Sequence, residues 1–384
     1  MNRFAATRMR FYERRGGPPR GSRAGVSLHC HTQYSKELLT FIPHYAAMIP
    51  AVSRMFRSEM SRYLTIHGKT IDFARAWWTP PVAPLRVFES ETLQIEKEFG
   101  LPAFVSITDH DNIESGLALK SMNSGRRIPI SVEWTVPYRR GFFHLGVHNL
   151  PPDGAREIAD ELLKYAERTP DAMTLGDLLA WLNESPGVLI VLNHPMRDLE
   201  FIGAAEHADF LKAFLADHID WIHAFEFNGF RPWKENEEVR RLAEDFGLPV
   251  VAGGDRHGLQ PNTLLNLTRA GSFDEYVAEA RYDGHSEILV MPEYGQSLVA
   301  RTIEVAAETL RNYPSNPEGR RKWTERVHID IGDGSGSQAL ARYWKRGGPS
   351  WVRASLWVLR ALGSHRMNTA LRVALAGERV GHET

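Results

Sequence analysis

Val26-Ser-Leu-His-Cys-His-Thr-Gln-Tyr-Ser35 carries an apolar run straight into two histidines and a string of polar residues. Side chains on a strand alternate between faces, so His29 and His31 are predicted to point one way and Val26, Leu28 and Cys30 the other. Two imidazoles two residues apart at the C-terminal end of a strand can grip one cation. Taken alone, the spacing describes two polar residues near a loop equally well. Cys30, on the apolar side, reads as a small buried hydrophobe rather than a ligand.

Working outward, six more short apolar runs end in glycine, proline or polar clusters: Phe104–Thr108, Ile128–Val132, Phe142–Val147, Val188–Leu192, Trp221–Phe227 and Leu248–Ala252. Amphipathic stretches at Val87–Phe99, Glu157–Arg168, Leu175–Glu184 and Glu235–Phe246 lie between many of them. This alternation predicts an α/β domain with a largely parallel sheet, over residues 25–269, whose last strand ends at Ala252. Seven strands suit a barrel better than an open sheet. Residues 36–86 break the alternation. Pro43, Pro50 and Trp77-Trp78-Thr-Pro-Pro81 predict a helical, proline-bounded lid inserted after the first strand. Residues 270–384 are predicted to be a helical extension with a Gly-rich turn at 332–336 and a basic amphipathic helix within Ser350–Ala376. Residues 1–24 are read as a basic flexible tail.

The polar strand ends recur. Val105-Ser-Ile-Thr-Asp-His-Asp111 supplies Asp109, His110 and Asp111, and Ile130-Ser-Val-Glu133 ends in a carboxylate. His144 and His148 follow Phe143, His194 follows Leu192-Asn, and Asp255 and His257 close Val251–His257. So many unpaired imidazoles and carboxylates would be costly to bury in an apolar body, and shared divalent cations would compensate all of them together. A metal site at the C-terminal rim of the strands explains six such ends better than six separate structural roles.

The ordered set His-x-His-Thr-x-Tyr-Ser, Thr-Asp-His-Asp, Val-Glu-x-Thr, Asn-His-Pro and Gly-Gly-Asp-x-His, spread over residues 26–258, resembles the PHP (polymerase and histidinol phosphatase) superfamily. The resemblance implies a distorted (β/α)7 TIM-like barrel that holds two or three Zn, Mn or Fe ions and hydrolyses phosphoesters. It implies that His29, His31, Glu133 and Asp255 hold a first ion, that Glu133 bridges to a second held by His110, and that His144, His194 and His257 hold a third. The family usually places Asp or His after Tyr-Ser, where this chain has Lys36 followed by Glu37. Three outcomes are open: the second ion is lost or weakened, Glu37 or His44 replaces the ligand, or Lys36 binds substrate phosphate itself.

The mechanism expected of such a cluster is in-line attack by a hydroxide, since bound water can reach a pKa of about 7. Arg256 either faces away from the ligands or swings to clamp phosphate. Asp109 and Asp111 either orient His110 or protonate the leaving alkoxide. Asn228 is a candidate for substrate binding or for capping a turn, and His148 for a substrate contact or simple exposure.

Composition sets further bounds. Residues 1–24 carry seven Arg against Glu13, and residues 320–384 carry twelve Lys/Arg against five Asp/Glu. With a total of −1, residues 25–319 are left at −14. So acidic a body argues against long nucleic acids and for a small phosphorylated substrate, phosphomonoester, nucleotide or short oligonucleotide. A single cysteine rules out an internal disulfide or a multi-cysteine metal site. Met1–Gly25 contains no apolar h-region, so a cytoplasmic protein is expected. The stripe of Trp351, Leu356, Trp357 and Leu362 is read as packing, and peripheral membrane contact through that basic helix as the weaker reading. The competing functions are another metal-dependent, amidohydrolase-like hydrolase and a metal-binding module without turnover.

Overall fold

Gly25 and Ser27 of the strand Ala24–Cys30 face the helix Pro84–Phe99: a side chain at Gly25 would strike Ile95, and the Ser27 hydroxyl donates to Glu91 at 2.8 Å. Val26 and Leu28 pack instead with Val191, Ala224 and Val251 of neighbouring strands. Strict alternation would send His29 toward Glu91. His29 has a φ of +60°, and the chain turns over at that residue. As a result Cys30 does not join Val26 and Leu28, but packs with Val82, Val87, Phe88 and Ile107. Its thiol is free and buried, as its reading as a small hydrophobe expects.

The computed structural model describes residues 6–13, 19–48, 50–122, 128–313, 320–332, 334–344, 346–375 and 377. Its strands are β1 (Ala6–Phe11), β2 (Ala24–Cys30), β3 (Glu37–Leu38), β4 (Asp72–Trp78), β5 (Ala103–Val105), β6 (Ile130–Tyr138) and β7 (Gly141–Leu150). They continue with β8 (Leu189–Asn193), β9 (Ala224–Asn228), β10 (Val250–Arg256), β11 (Leu264–Thr268), β12 (His285–Val290), β13 (Val327–Asp330) and β14 (Gln338–Ala339). The large sheet has the order β1-β12-β11-β2-β10-β9-β8-β7-β6, with β5 also on β2. Past β5 the chain meets β6 at a single parallel bridge between His110 and Glu133. The fold is therefore mixed α/β around one large sheet.

The sheet is less parallel than the sequence predicted. β2, β5, β8, β9 and β10 run parallel where they pair, but β6 and β7 form an antiparallel hairpin, and β7 pairs antiparallel with β8. The reason is local. Only Arg139 and Arg140 separate β6 from β7, too short for a helical crossover, and Arg139 takes the left-handed conformation (φ +48°) a tight hairpin needs. The strand after Leu248 runs on to Arg256 rather than ending at Ala252, and β11 and β12 extend the sheet beyond it.

Two expected flanking regions differ in the same way. Ala6–Phe11, read as part of a tail, is β1, which pairs parallel with β12 over six register positions and carries an Arg10–Glu287 ion pair. Residues 1–5 and 14–18 of that tail lie outside the described residues. The 36–86 insertion contains two helices, Phe41–Met48 and Pro50–His67, but also β3 and β4. β4 pairs antiparallel with β13 of the C-terminal extension, giving a second sheet in the order β14-β13-β4-β3. Leu39, Tyr63 and Ala76 from the insertion share one apolar cluster with Trp323, Ile329, Leu340 and Leu356 from the extension. Insertion and extension, far apart in sequence, therefore build one layer. No helix among the described residues is long and apolar enough to cross a membrane.

Candidate metal centre

At the strand ends the backbone takes up unusual conformations. Asp111 (φ +49°), His194 (φ +30°) and Asp255 (φ +49°) join His29 in the left-handed region. Each such residue costs of order 1–3 kcal/mol, and such strain collects where side chains must be aimed against the regular alternation. β10 also bulges against β2: Gly253 pairs with Leu28 and Arg256 with Cys30, so three steps on one strand match two on the other. The extra residue falls beside Asp255 and turns its carboxylate toward His29 and His31.

Glu133, at the middle of β6, is the hub. Its Oε2 lies 3.0 Å from Nε2 of His29, 3.3 Å from Nε2 of His31 and 3.3 Å from Nε2 of His110. Its Oε1 lies 3.2 Å from Nε2 of His194 and 3.3 Å from Nδ1 of His144, whose ring nitrogens are 3.4 Å apart. Asp255 Oδ1 stands 3.7 Å from Nε2 of His29 and 3.6 Å from Nε2 of His31. The two carboxylate oxygens of Glu133 thus face two different sets of imidazoles.

Glu37, not Lys36, joins the cluster. The two side chains point apart: Lys36, just before β3, is exposed, its ammonium 5.7 Å from the Trp77 ring centroid, while Glu37, the first residue of β3, is buried. Glu37 Oε2 lies 3.1 Å from Nε2 of His257 and 3.3 Å from Nε2 of His110, and its Oε1 lies 3.5 Å from Nδ1 of His31. His44 is not a member of the cluster; it stacks on Phe201 with centroids 3.9 Å apart. His257 sits with Glu37 and His31, not with His144 and His194 as the resemblance implied.

Among the described residues, four sets of ligand-type atoms gather closely enough to hold a cation: His29–Glu133–His194, His29–His31–Asp255, His31–Glu37–His257 and His31–His110–Glu133. The donor chemistry, imidazole nitrogen with carboxylate oxygen, is that of Zn, Mn and Fe sites. One atom tests the fit directly. Nε2 of His31 is buried without a hydrogen-bond partner, although it faces two carboxylates. A cation there would satisfy it.

Without a cation, the cluster holds itself by charge. Burial would raise Glu133, but His29, His110 and His144 outweigh it and hold its carboxyl well below the usual range. Glu37 is likewise lowered against burial by His257, His110 and His31, and Asp255 by His29, His31 and His257. His110 rises to about 10 because Glu133 and Glu37 overcome its burial. His144 is pushed down to about 3, mainly by burial.

The remaining candidates fall around this core. Arg256 does not clamp a ligand: it is buried and pairs with Glu91, donating also to the Gly258 carbonyl at 3.2 Å. Its strand position aims it away from the ligands, and Glu91 keeps it there. His148 is neither exposed nor at the opening; it is buried with Nδ1 2.8 Å from the Ser106 hydroxyl, and burial lowers its pKa to about 3. Asn228 is buried and donates to Glu226 at 2.9 Å and Asp255 at 3.3 Å, so its amide holds carboxylates rather than a substrate. Asp109 accepts from the Thr32 hydroxyl at 2.8 Å and from its amide, which ties down the loop after His31, and burial raises it to about 6. It does not bond His110 directly. Asp111 accepts from the Thr135 amide at 2.7 Å.

Two residues escaped the sequence reading. Glu226 lies against Nδ1 of His29 and accepts from the His194 amide at 2.8 Å, so it holds two residues of the cluster at once. A proton on that Nδ1 leaves Nε2 as the free lone pair facing Glu133. Its signal was the Glu226-Phe-Asn228 strand end, of which only Asn228 was singled out. Arg197, three residues after His194, is part-exposed with its guanidinium 3.9 Å from Asp255.

No family model matches the chain, and no curated protein does. Among solved structures it is similar to an amidohydrolase from Chromobacterium violaceum with bound sulfate and no metal, at 17% identity and a TM-score of 0.32, over 47% of this chain and 84% of that one. It is also similar to a protein from Bifidobacterium adolescentis whose name proposes a metal-dependent phosphoesterase, at 14% identity and a TM-score of 0.35, over 68% and 96%. Likeness this distant carries no functional weight.

Proposed function

We propose that this chain is a metal-dependent hydrolase of a small phosphorylated substrate. The observation that carries the reading is the convergence of His29, His31, Glu37, His110, Glu133, His144, His194, Asp255 and His257 on one buried centre, with Nε2 of His31 unpartnered. His29, His31 and Asp255 would hold one ion and Glu37, His110, Glu133 and His257 a neighbouring one, with Glu133 Oε1, His144 and His194 grouped on the far side. Such ions supply Lewis-acid stabilisation of phosphoryl oxygens and a nucleophile at neutral pH.

The chain's own residues define how a substrate arrives. His29 and His31 are sealed, whereas the His110 and His257 side chains are 11% and 19% exposed, so the centre opens on the Glu37 side. Trp78, whose ring centroid is 5.7 Å from that of His257, borders this opening. Arg197 beside Asp255 offers a cation at the rim for an anionic group. Glu226 and Asn228 orient His29 and Asp255. The His110–Glu133 bridge, which links the chain just after β5 to β6, supports reading β2 and β5–β10 as a distorted seven-membered TIM-like ring with the site at its rim.

The experiment is elemental analysis of the purified protein followed by hydrolysis of an aryl phosphate with added Mn. Bound metal with phosphatase turnover that is lost in Asp255→Ala supports the proposal. Turnover on esters or amides alone selects the amidohydrolase-like reading, and metal without turnover on any of these selects a binding module.

A further inference from the structure

The helices Ser350–Leu362 and His365–Ala374 both pack on the helix Leu298–Thr309. From the first, Leu356 is buried and Arg360 donates to the Leu310 carbonyl at 2.7 Å. From the second, buried Asn368 donates to the Ala300 carbonyl at 3.0 Å, and Arg372 pairs with Glu304. These contacts identify the inward side of each helix. On a surface helix the opposite side should be polar. Here it is apolar. Ala354, Trp357 and Val358, spaced three and four residues apart, are exposed, Trp357 to 71%. The second helix exposes Met367, Ala370, Val373 and Ala374, with Val373 at 85%. The sequence reading of Trp357 as packing is therefore corrected: of that stripe, Leu356 alone is buried.

The charge around this side has one sign. Residues 334–377 contain seven Lys/Arg and no Asp or Glu, and Arg342, Arg346, Arg353 and Arg366 are exposed. We propose that this face is a docking surface for an anionic lipid bilayer. Trp357, Val358 and Val373 enter the boundary between headgroups and acyl chains, and the arginines lie against lipid phosphates. The charge selects this occupant. A second copy docked through the same face would bring like charge against like charge. A nucleic acid would use the arginines but leave Val358, Met367 and Val373 in water. Since no described helix can span a bilayer, the association is peripheral. This surface is independent of the metal centre and of the proposed hydrolysis.

The test is co-sedimentation of the full chain with vesicles of phosphatidylcholine alone and of equal parts phosphatidylcholine and phosphatidylglycerol. Binding is expected to the anionic vesicles, weakening as salt is raised. Trp357→Asp and, separately, Val358→Asp should each weaken it about tenfold or more, because each replaces an inserted apolar side chain by a charge repelled from the surface. Arg353→Glu with Arg366→Glu should weaken anionic binding too. Circular dichroism and metal content of each variant, expected unchanged, show that the fold survives. Absence of binding to anionic vesicles overturns the proposal, as does binding that the Trp357 and Val358 variants leave intact. Concentration-dependent self-association abolished by Trp357→Asp, without vesicle binding, overturns it in favour of a second copy.

Discussion

Glu37 shows how one strand position sets the chemistry of the centre. Because Lys36 and Glu37, at the start of β3, point to opposite sides of the chain, the ammonium is turned out to Trp77 and the carboxylate in to His110 and His257. Lys36→Asp is therefore expected to leave metal stoichiometry unchanged, while Glu37→Gln lowers it; elemental analysis showing the reverse would refute the assignment. Glu226 acts one bond further out. Glu226→Gln should keep the fold but weaken metal affinity about 10–100-fold, as read by chelator competition, since the amide no longer fixes the charge and tautomer of His29. Gly253 tests the same carboxylate from the backbone: a Cβ there would fall 1.7 Å from Glu226 Oε1. Gly253→Ala should push Glu226 off His29 and lower bound metal without touching any ligand residue.

At the scale of elements, the clustered imidazoles and carboxylates owe their aim to local departures from regular structure. The bulge on β10 and the left-handed residues His29, His194 and Asp255 lie where strands give way to loops. The sheet also depends on segments that look peripheral in sequence. β1 covers the edge of β12, and the Thr7 hydroxyl accepts from the Val250 amide at 2.8 Å, at the root of the strand that carries Asp255. Deleting residues 1–11 should lower the melting temperature, since it strips a six-residue partner from β12 and leaves that edge unpaired. A melting temperature equal to that of the full chain would show that β1 contributes nothing to stability. The β4–β13 pairing makes a parallel point: the 36–86 insertion and the C-terminal extension should lose stability together when either is cut.

The whole molecule without metal should be pH-sensitive on both sides. Glu37, Glu133 and Asp255 are held below their usual pKa values, so their stabilisation is present above about pH 4.5 and is lost as pH falls through the lowered values. His110 is raised to about 10, so its contribution is complete below about pH 6.5 and decays between there and about pH 10. Thermal melts of the metal-free protein should peak between those arms, and added Mn or Zn should flatten the alkaline one by replacing protons on the imidazoles. A metal-free melting temperature constant from pH 6.5 to 10 would contradict the charge pairing described. Local pattern along the chain reveals an α/β core and sets His29, His31, His110, His194, Asp255 and His257 at or just past strand ends, because apolar periodicity and the polar residues closing each run are local properties. Glu133 and His144, expected at strand ends too, lie inside β6 and β7 because those strands run on into a hairpin. It also located the helix Leu175–Glu184 to the residue, where Thr174 caps the first turn by accepting from the Asp177 amide. Long-range packing settles which histidines share a neighbour, that Glu37 joins them while Arg256 and His148 turn elsewhere, and that insertion and extension form one sheet. Those outcomes depend on bulges, backbone flips and pairings between segments hundreds of residues apart, none of which leaves a periodic trace along the chain.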